Sequence, residues 1–205
     1  MTSPAQLDLL SGDEPPAPFK LDVVKGKAKS YTLFFAIIPE PHSAQRIEQV
    51  ASELRKQHGL KGECLETDRL HLTLHTVEQF EAFVSQQVVD AALAAAARVR
   101  CAPFSIAFDH ARSFPSSDAF VLRSDESSDS AIKHLRQLLT LELRRFELRP
   151  KATETPHMTM LYDKHKVEEH PIEPLHWTAT RFALILSHVG AGHHQRIAEW
   201  PLVNA

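Results

Sequence analysis

The 205-residue chain has only two cysteines, Cys64 and Cys101, so it cannot build a disulfide scaffold and reads as a protein of a reducing compartment. It has no basic excess: 23 Lys and Arg stand against 26 Asp and Glu, a formal charge of −3. A binder of long nucleic acid needs a cation for each phosphate it touches. A nucleic-acid partner is therefore expected as a short piece or an end held in a local pocket, with no long footprint. The chain has no run of 18 apolar residues, and its start, Met1-Thr-Ser-Pro-Ala-Gln6, lacks the basic-then-apolar pattern of a signal peptide. No membrane association and a cytoplasmic location are expected. Gly190-Ala-Gly192 lacks the further spaced glycine and the helix of a phosphate-binding fingerprint. What the chain does have is 13 histidines, whose imidazoles titrate near neutrality and serve as acids, bases or metal ligands. Its 43% hydrophobic content suffices for the core of one domain.

Residues 1–29 read as a flexible tail, broken by Pro4, Pro15, Pro16 and Pro18, although Leu9, Leu10 and Phe19 are apolar enough to dock. Residues 30–205 read as one domain. The apolar run 31–38, stopped by Pro39 and Pro41, predicts a buried strand. A helix over 43–57 follows, with Ser43 as its cap, Ile47, Val50, Ala51 and Leu54 on one face, and Gly59 at its end. In 70–75, Leu70, Leu72 and Leu74 alternate with His71, Thr73 and His75, the pattern of a strand with one apolar and one polar face. An alanine-rich helix over 84–99 and a strand over 104–110 complete the unit. The order then repeats: a strand at 119–123, a helix over 127–146, a strand at 156–161 carrying His157 and Thr159 on one face, and a strand at 182–188; residues 196–200 offer a closing strand.

Leu33 lies 38 residues before His71, and Val121 lies 36 before His157, with one helix in each interval. The pseudo-repeats run over about 31–112 and 118–202. They predict an α+β fold of two antiparallel sheets, with helices on the outer faces and a groove between them. His-x-Thr alone is weak: 13 His and 11 Thr in this length give roughly 0.7 such pairs by chance. The sequence has three. His176/Thr178 lacks the matching upstream strand and helix, which leaves His71/Thr73 and His157/Thr159 in equivalent places of the repeat.

Leu33-Phe-Phe-Ala36, His71-Leu-Thr-Leu74 and His157-Met-Thr-Met160 resemble the 2H phosphoesterases, and within them the branch of 2′-5′ RNA ligases and RNA 2′,3′-cyclic phosphodiesterases. The resemblance spans about 31–202. It implies a bilobal, pseudo-symmetric fold, catalytic roles for His71 and His157, and phosphate binding by Thr73 and Thr159. It also implies cleavage of 2′,3′-cyclic phosphate ends of RNA or nucleotides to 2′-phosphates, and reversible 2′-5′ ligation. The branch often carries a basic residue five positions after the second His. Here that position is Tyr162, a candidate substrate contact, and Arg69, Lys151 or Lys164 would have to supply the charge.

The chemistry suits these residues. Opening a cyclic phosphodiester needs one group to take a proton from water and another, across the phosphorus, to protonate the departing oxygen. Imidazole, with a pKa of about 6.5, can play either part. A threonine two residues along the same strand face lies roughly 6–7 Å away and can donate to a phosphate oxygen. No cofactor and no metal are required, and a monomer is expected. Two other readings stand beside this one: a metal-dependent hydrolase with His71, His75 and His157 as ligands, and a non-catalytic nucleotide- or RNA-end-binding module. His110 and His188, at matching strand ends, suggest a structural role in the repeat. Phe34 and Phe35 are expected in the core, and His193 and His194 in an exposed loop.

Overall fold

A computed structural model describes residues 19–24, 28–152 and 155–204. Its elements follow the order β1 (Ser30–Ile37), α1 (Pro41–Gln57), a 3₁₀ turn (Thr67–Arg69), β2 (Leu72–Phe80), α2 (Gln86–Ala96), β3 (Phe104–Ser113), β4 (Ala119–Ser124), α3 (Glu126–Arg145), β5 (Lys151–Ala152), β6 (His157–Tyr162), β7 (His170–Ala179), β8 (Arg181–Val189) and β9 (His193–Pro201). The α+β, all-antiparallel architecture is as expected. The strands of the two expected sheets run on as one, in the order β7-β3-β4-β6-β2-β1-β8-β9, with short β5 beside β2. The join is narrow: β2 and β6 meet through the single pair Leu72↔Met158. The order is symmetric about that join, since β8-β1-β2 on one side mirrors β3-β4-β6 on the other. Each repeat thus lends its third strand to its neighbour's half, β3 pairing with β4 and β8 with β1.

The helices cover the face opposite the groove. Ile47, Ala51 and Leu54 of α1 and Ile132, Leu135, Leu139 and Leu143 of α3 are fully or nearly fully buried in one core with Leu33, Phe35, Leu72, Leu74, Phe120, Leu122, Met158 and Met160. Burying a Leu or Phe side chain contributes about 1.5–3 kcal/mol, so these rows dominate the stability. The packing also crosses between the halves: α1 lies on β6, and α3 on β2. α1 begins at Pro41, favoured in a first turn because it has no N–H to leave unpaired, and Ser43 sits inside the helix, with Glu40 at the cap position. Gly59 ends it with φ 61°, a conformation that costs glycine little. α3 is capped by Asp125, whose carboxylate accepts the Ser128 N–H at 2.7 Å.

Strand β7, unassigned from the sequence, is an edge strand. Leu175, Trp177 and Ala179 face the core, and His176 and Thr178 are exposed, away from the other two His-Thr pairs. Of the expected tail, 1–18 and 25–27 lie outside the described residues. Residues 19–24 are docked: Phe19 N–H donates to Gln86 Oε1, Asp22 N–H to Gln195 Oε1, and Gln195 Nε2 to the Lys20 carbonyl. Among the described residues no helix is long and apolar enough to cross a membrane.

Candidate active site

The two His-x-Thr segments lie side by side and antiparallel, because Leu72↔Met158 pairs their middle residues. That register sets His71 across from Thr159 and Thr73 across from His157, all on the face opposite buried Leu72 and Met158. One strand across and two residues along, the Cα atoms of His71 and His157 are roughly 8 Å apart. Both histidines, both threonines, Arg69 and Tyr162 line one groove of about 290 Å³, together with Thr32, Phe34, Leu65, Thr76, Ser187 and His194.

The imidazoles are anchored alike. His71 Nδ1–H donates to the Arg69 carbonyl at 2.7 Å, and His157 Nδ1–H to the Thr155 carbonyl at 2.8 Å. A carbonyl only accepts, so it holds each proton on Nδ1 and leaves Nε2 as the acceptor nitrogen of the neutral ring. Phe34 packs on His71 with ring centroids 5.1 Å apart, and Phe114 meets His157 edge-on at 4.6 Å. Burial pushes both imidazoles below the usual 6.5. The carbonyl hydrogen bonds oppose this, and repulsion from other groups that carry or can gain positive charge reinforces it: His157 and Arg69 for His71, Arg136 and Arg123 for His157.

A β-bulge explains what the alternation misplaced. Ala36 pairs with Thr73 and Phe35 with His75, so Leu74 is left unpaired and the strand's parity flips. His75 then faces the helix layer, 3% exposed, its Nε2 3.0 Å from both the Arg136 carbonyl and Thr140 Oγ1 of α3. The Arg136 guanidinium donates to the Thr73 carbonyl at 2.8 Å, completing a clamp between α3 and the first motif. His71, His75 and His157 therefore do not converge on a metal position, and among the described residues no group of three metal-ligating side chains does. Thr76 takes the groove face instead. The second motif carries the same bulge at Met160: Val121 pairs with Thr159 and Phe120 with Leu161. Leu161 is buried like His75, and Tyr162 reaches the groove like Thr76, which is why the fifth position after each His looks into the site. Tyr162 is 56% exposed at the rim.

Arg69, carried by the 3₁₀ turn before His71, supplies a guanidinium to the groove; Lys151 and Lys164 do not line it. Both phenylalanines are buried as expected: Phe35 in the main core, and Phe34 in a second, small core cluster with Ala36, Ile38, Ala183 and Ile185 under the groove. His194 was expected to be exposed. It is half-buried in the groove, edge-on to His71 at 5.1 Å and to Phe34 at 5.6 Å. Burial, with His71, Arg69, His193 and His188 around it, lowers its pKa to about 3. The only signal for it in the sequence was its place at the start of a closing strand whose register depends on β8. His110 and His188 are not equivalent: His110 pairs with Arg123 and bonds the adjacent Asp109, while buried His188 pairs with Tyr31 and donates to Gln195 Oε1.

The family model of the 2′-5′ RNA ligase superfamily matches residues 38–191. The fold is similar to that of LigT from E. coli crystallised with NADP⁺ (TM-score 0.68, 24% identity, 85% of this chain and 99% of that one). It is also similar to a solved phosphoesterase (0.66, 22%, 84% and 98%) and to E. coli LigT with 3′-AMP (0.66, 23%, 84% and 98%). No curated protein is significantly similar to the chain in sequence.

Proposed function

Because the chain belongs to the 2′-5′ RNA ligase superfamily, which supports a phosphodiesterase or ligase activity, we propose the finer assignment: metal-independent hydrolysis of 2′,3′-cyclic phosphate ends of RNA or nucleotides. The observation that carries this reading is the antiparallel pairing of the two motifs at Leu72↔Met158, with both imidazoles in one groove. One Nε2 takes a proton from water as the water oxygen bonds to phosphorus. The bond from phosphorus to one ribose oxygen breaks, and the other imidazole, protonated, gives that oxygen its proton. The product is a phosphomonoester, a 2′-phosphate by the family resemblance; with a 5′-hydroxyl in place of water as the nucleophile, the same course forms a 2′-5′ linkage, and that joining step is the one that reverses to a cyclic phosphate and a free 5′-hydroxyl. Thr73, Thr159 and Arg69 hold the non-bridging oxygens as charge redistributes in a half-buried site, where donors act more strongly than in water. Small nucleotides suit the groove's volume, and the nucleotides held by E. coli LigT are of that class.

Turnover of nucleoside 2′,3′-cyclic phosphates in excess chelator, with the product position read by phosphorus NMR, tests the assignment. Chelator-resistant turnover is expected. Activity that vanishes with chelator and returns with a divalent metal would overturn metal independence, and absence of turnover under all conditions would favour the binding-module reading.

A further inference from the structure

Besides the motif residues, the groove carries a second set of polar side chains with a different character. Thr32, Ser187 and His194 stand in one row across three strands, Thr32 paired with Ser187 between β1 and β8, and Ser187 with His194 between β8 and β9. All three line the groove, all are half-buried, and none makes a side-chain hydrogen bond to another described residue. His194 remains neutral, since its pKa lies at about 3, and so offers one N–H donor and one acceptor. The groove lining contains no carboxylate, and its one permanent cation is Arg69, just before the first motif. A second phosphate would call for further cations along the row; the row offers only neutral donors and acceptors. That chemistry matches the hydroxyls of a sugar and the edge of a base. The row also breaks the symmetry of the site. In the other half β4 begins only at Ala119, so the positions that would continue such a row fall in the turn before it.

We propose that Thr32, Ser187 and His194 form a nucleoside subsite, along which lie the uncharged sugar and base of the nucleotide whose phosphate the two motifs hold. This rests on the function proposed above, and it commits the nucleoside to the half of the groove built by β1, β8 and β9.

Calorimetric titration of inorganic phosphate and of 3′-AMP into the full chain tests it, with the variants Thr32→Val, Ser187→Ala and His194→Phe. The phenyl ring keeps the contacts with His71 and Phe34 and removes both nitrogens. The wild-type chain is expected to bind 3′-AMP at least about tenfold more tightly than phosphate, and each variant to reduce that ratio about 3- to 10-fold, the worth of one neutral hydrogen bond. Equal affinity of the wild-type chain for the two probes, or an unchanged ratio in all three variants, overturns the subsite. Should His194→Phe fail to fold, the two hydroxyl variants decide by the same ratio. Loss of cyclic-phosphate turnover with the ratio intact counts against the proposed reaction alone, because the subsite is read by binding.

Discussion

The pH dependence of kcat/KM on a nucleoside 2′,3′-cyclic phosphate is the most discriminating consequence of the site. The cycle needs one imidazole protonated and one neutral. Both are pushed below 6.5, chiefly by burial, and each resists protonation further once its neighbour carries charge. The pair therefore titrates in two steps. Below both, two imidazolium ions leave no base; above both, two neutral rings leave no acid. Because kcat/KM reports the free enzyme, the bell should peak on the acid side of pH 6.5 and fall about tenfold per unit on its alkaline limb. With that limb no higher than about 6.5, the value at pH 8.5 is roughly a hundredfold below the maximum. A bound phosphodiester anion favours imidazolium, so the kcat profile should lie at higher pH than the kcat/KM profile. Arg69→Gln removes a cation that holds His71 down, so it should move the limb governed by His71 to higher pH while raising KM. A kcat/KM that stays level or climbs to pH 8.5 would refute the two-imidazole argument, since neither ring would then be needed in its charged form.

His71→Ala and His157→Ala should each lower kcat about 10²- to 10⁴-fold, and the double variant little further, because the rings act as a unit; a single variant within tenfold of wild type contradicts this. Gly62→Ala would drive a Cβ into the carbonyl oxygen of Tyr162, where Asp163 also receives the Gly62 N–H at 2.7 Å. Urea unfolding should show a loss of about 1–3 kcal/mol, and an unchanged midpoint would mean that the 60–65 loop is not pressed against β6. Buried His75 and half-buried His71, His157 and His194 all have lowered pKa values, so the unfolded chain binds more protons below pH 6.5. Stability should be full above about 6.5 and fall as the pH drops towards the folded values; a urea midpoint at pH 5 equal to that at pH 7.5 would contradict the burial.

Element by element, local pattern carried a long way. The run at 31–38, the helical face of Ile47, Ala51 and Leu54, and the strands bearing His71 and His157 were legible because each buries a row at its own period, 2 or 3.6. β7 was not assigned, since a half-exposed edge strand broken by Pro171 and Pro174 keeps a weak alternation. His75 was placed on the wrong face for a different reason: alternation assumes an unbroken ladder, and the bulge at Leu74 is decided by how β2 fits against β1.

From the chain alone came the two His-x-Thr faces and their equivalent places in a repeat, written in neighbouring residues, and the acidic balance that argues against a long nucleic-acid footprint. Tertiary structure decided which strands lie side by side, and hence that the motifs meet at Leu72↔Met158, that Thr76 and Tyr162 turn inward, and that Thr32, Ser187 and His194, from three strands of which two lie over 150 positions from the first, share a row. Register between distant strands is set by the collective packing of the whole sheet against α1 and α3, and no local run of residues encodes it.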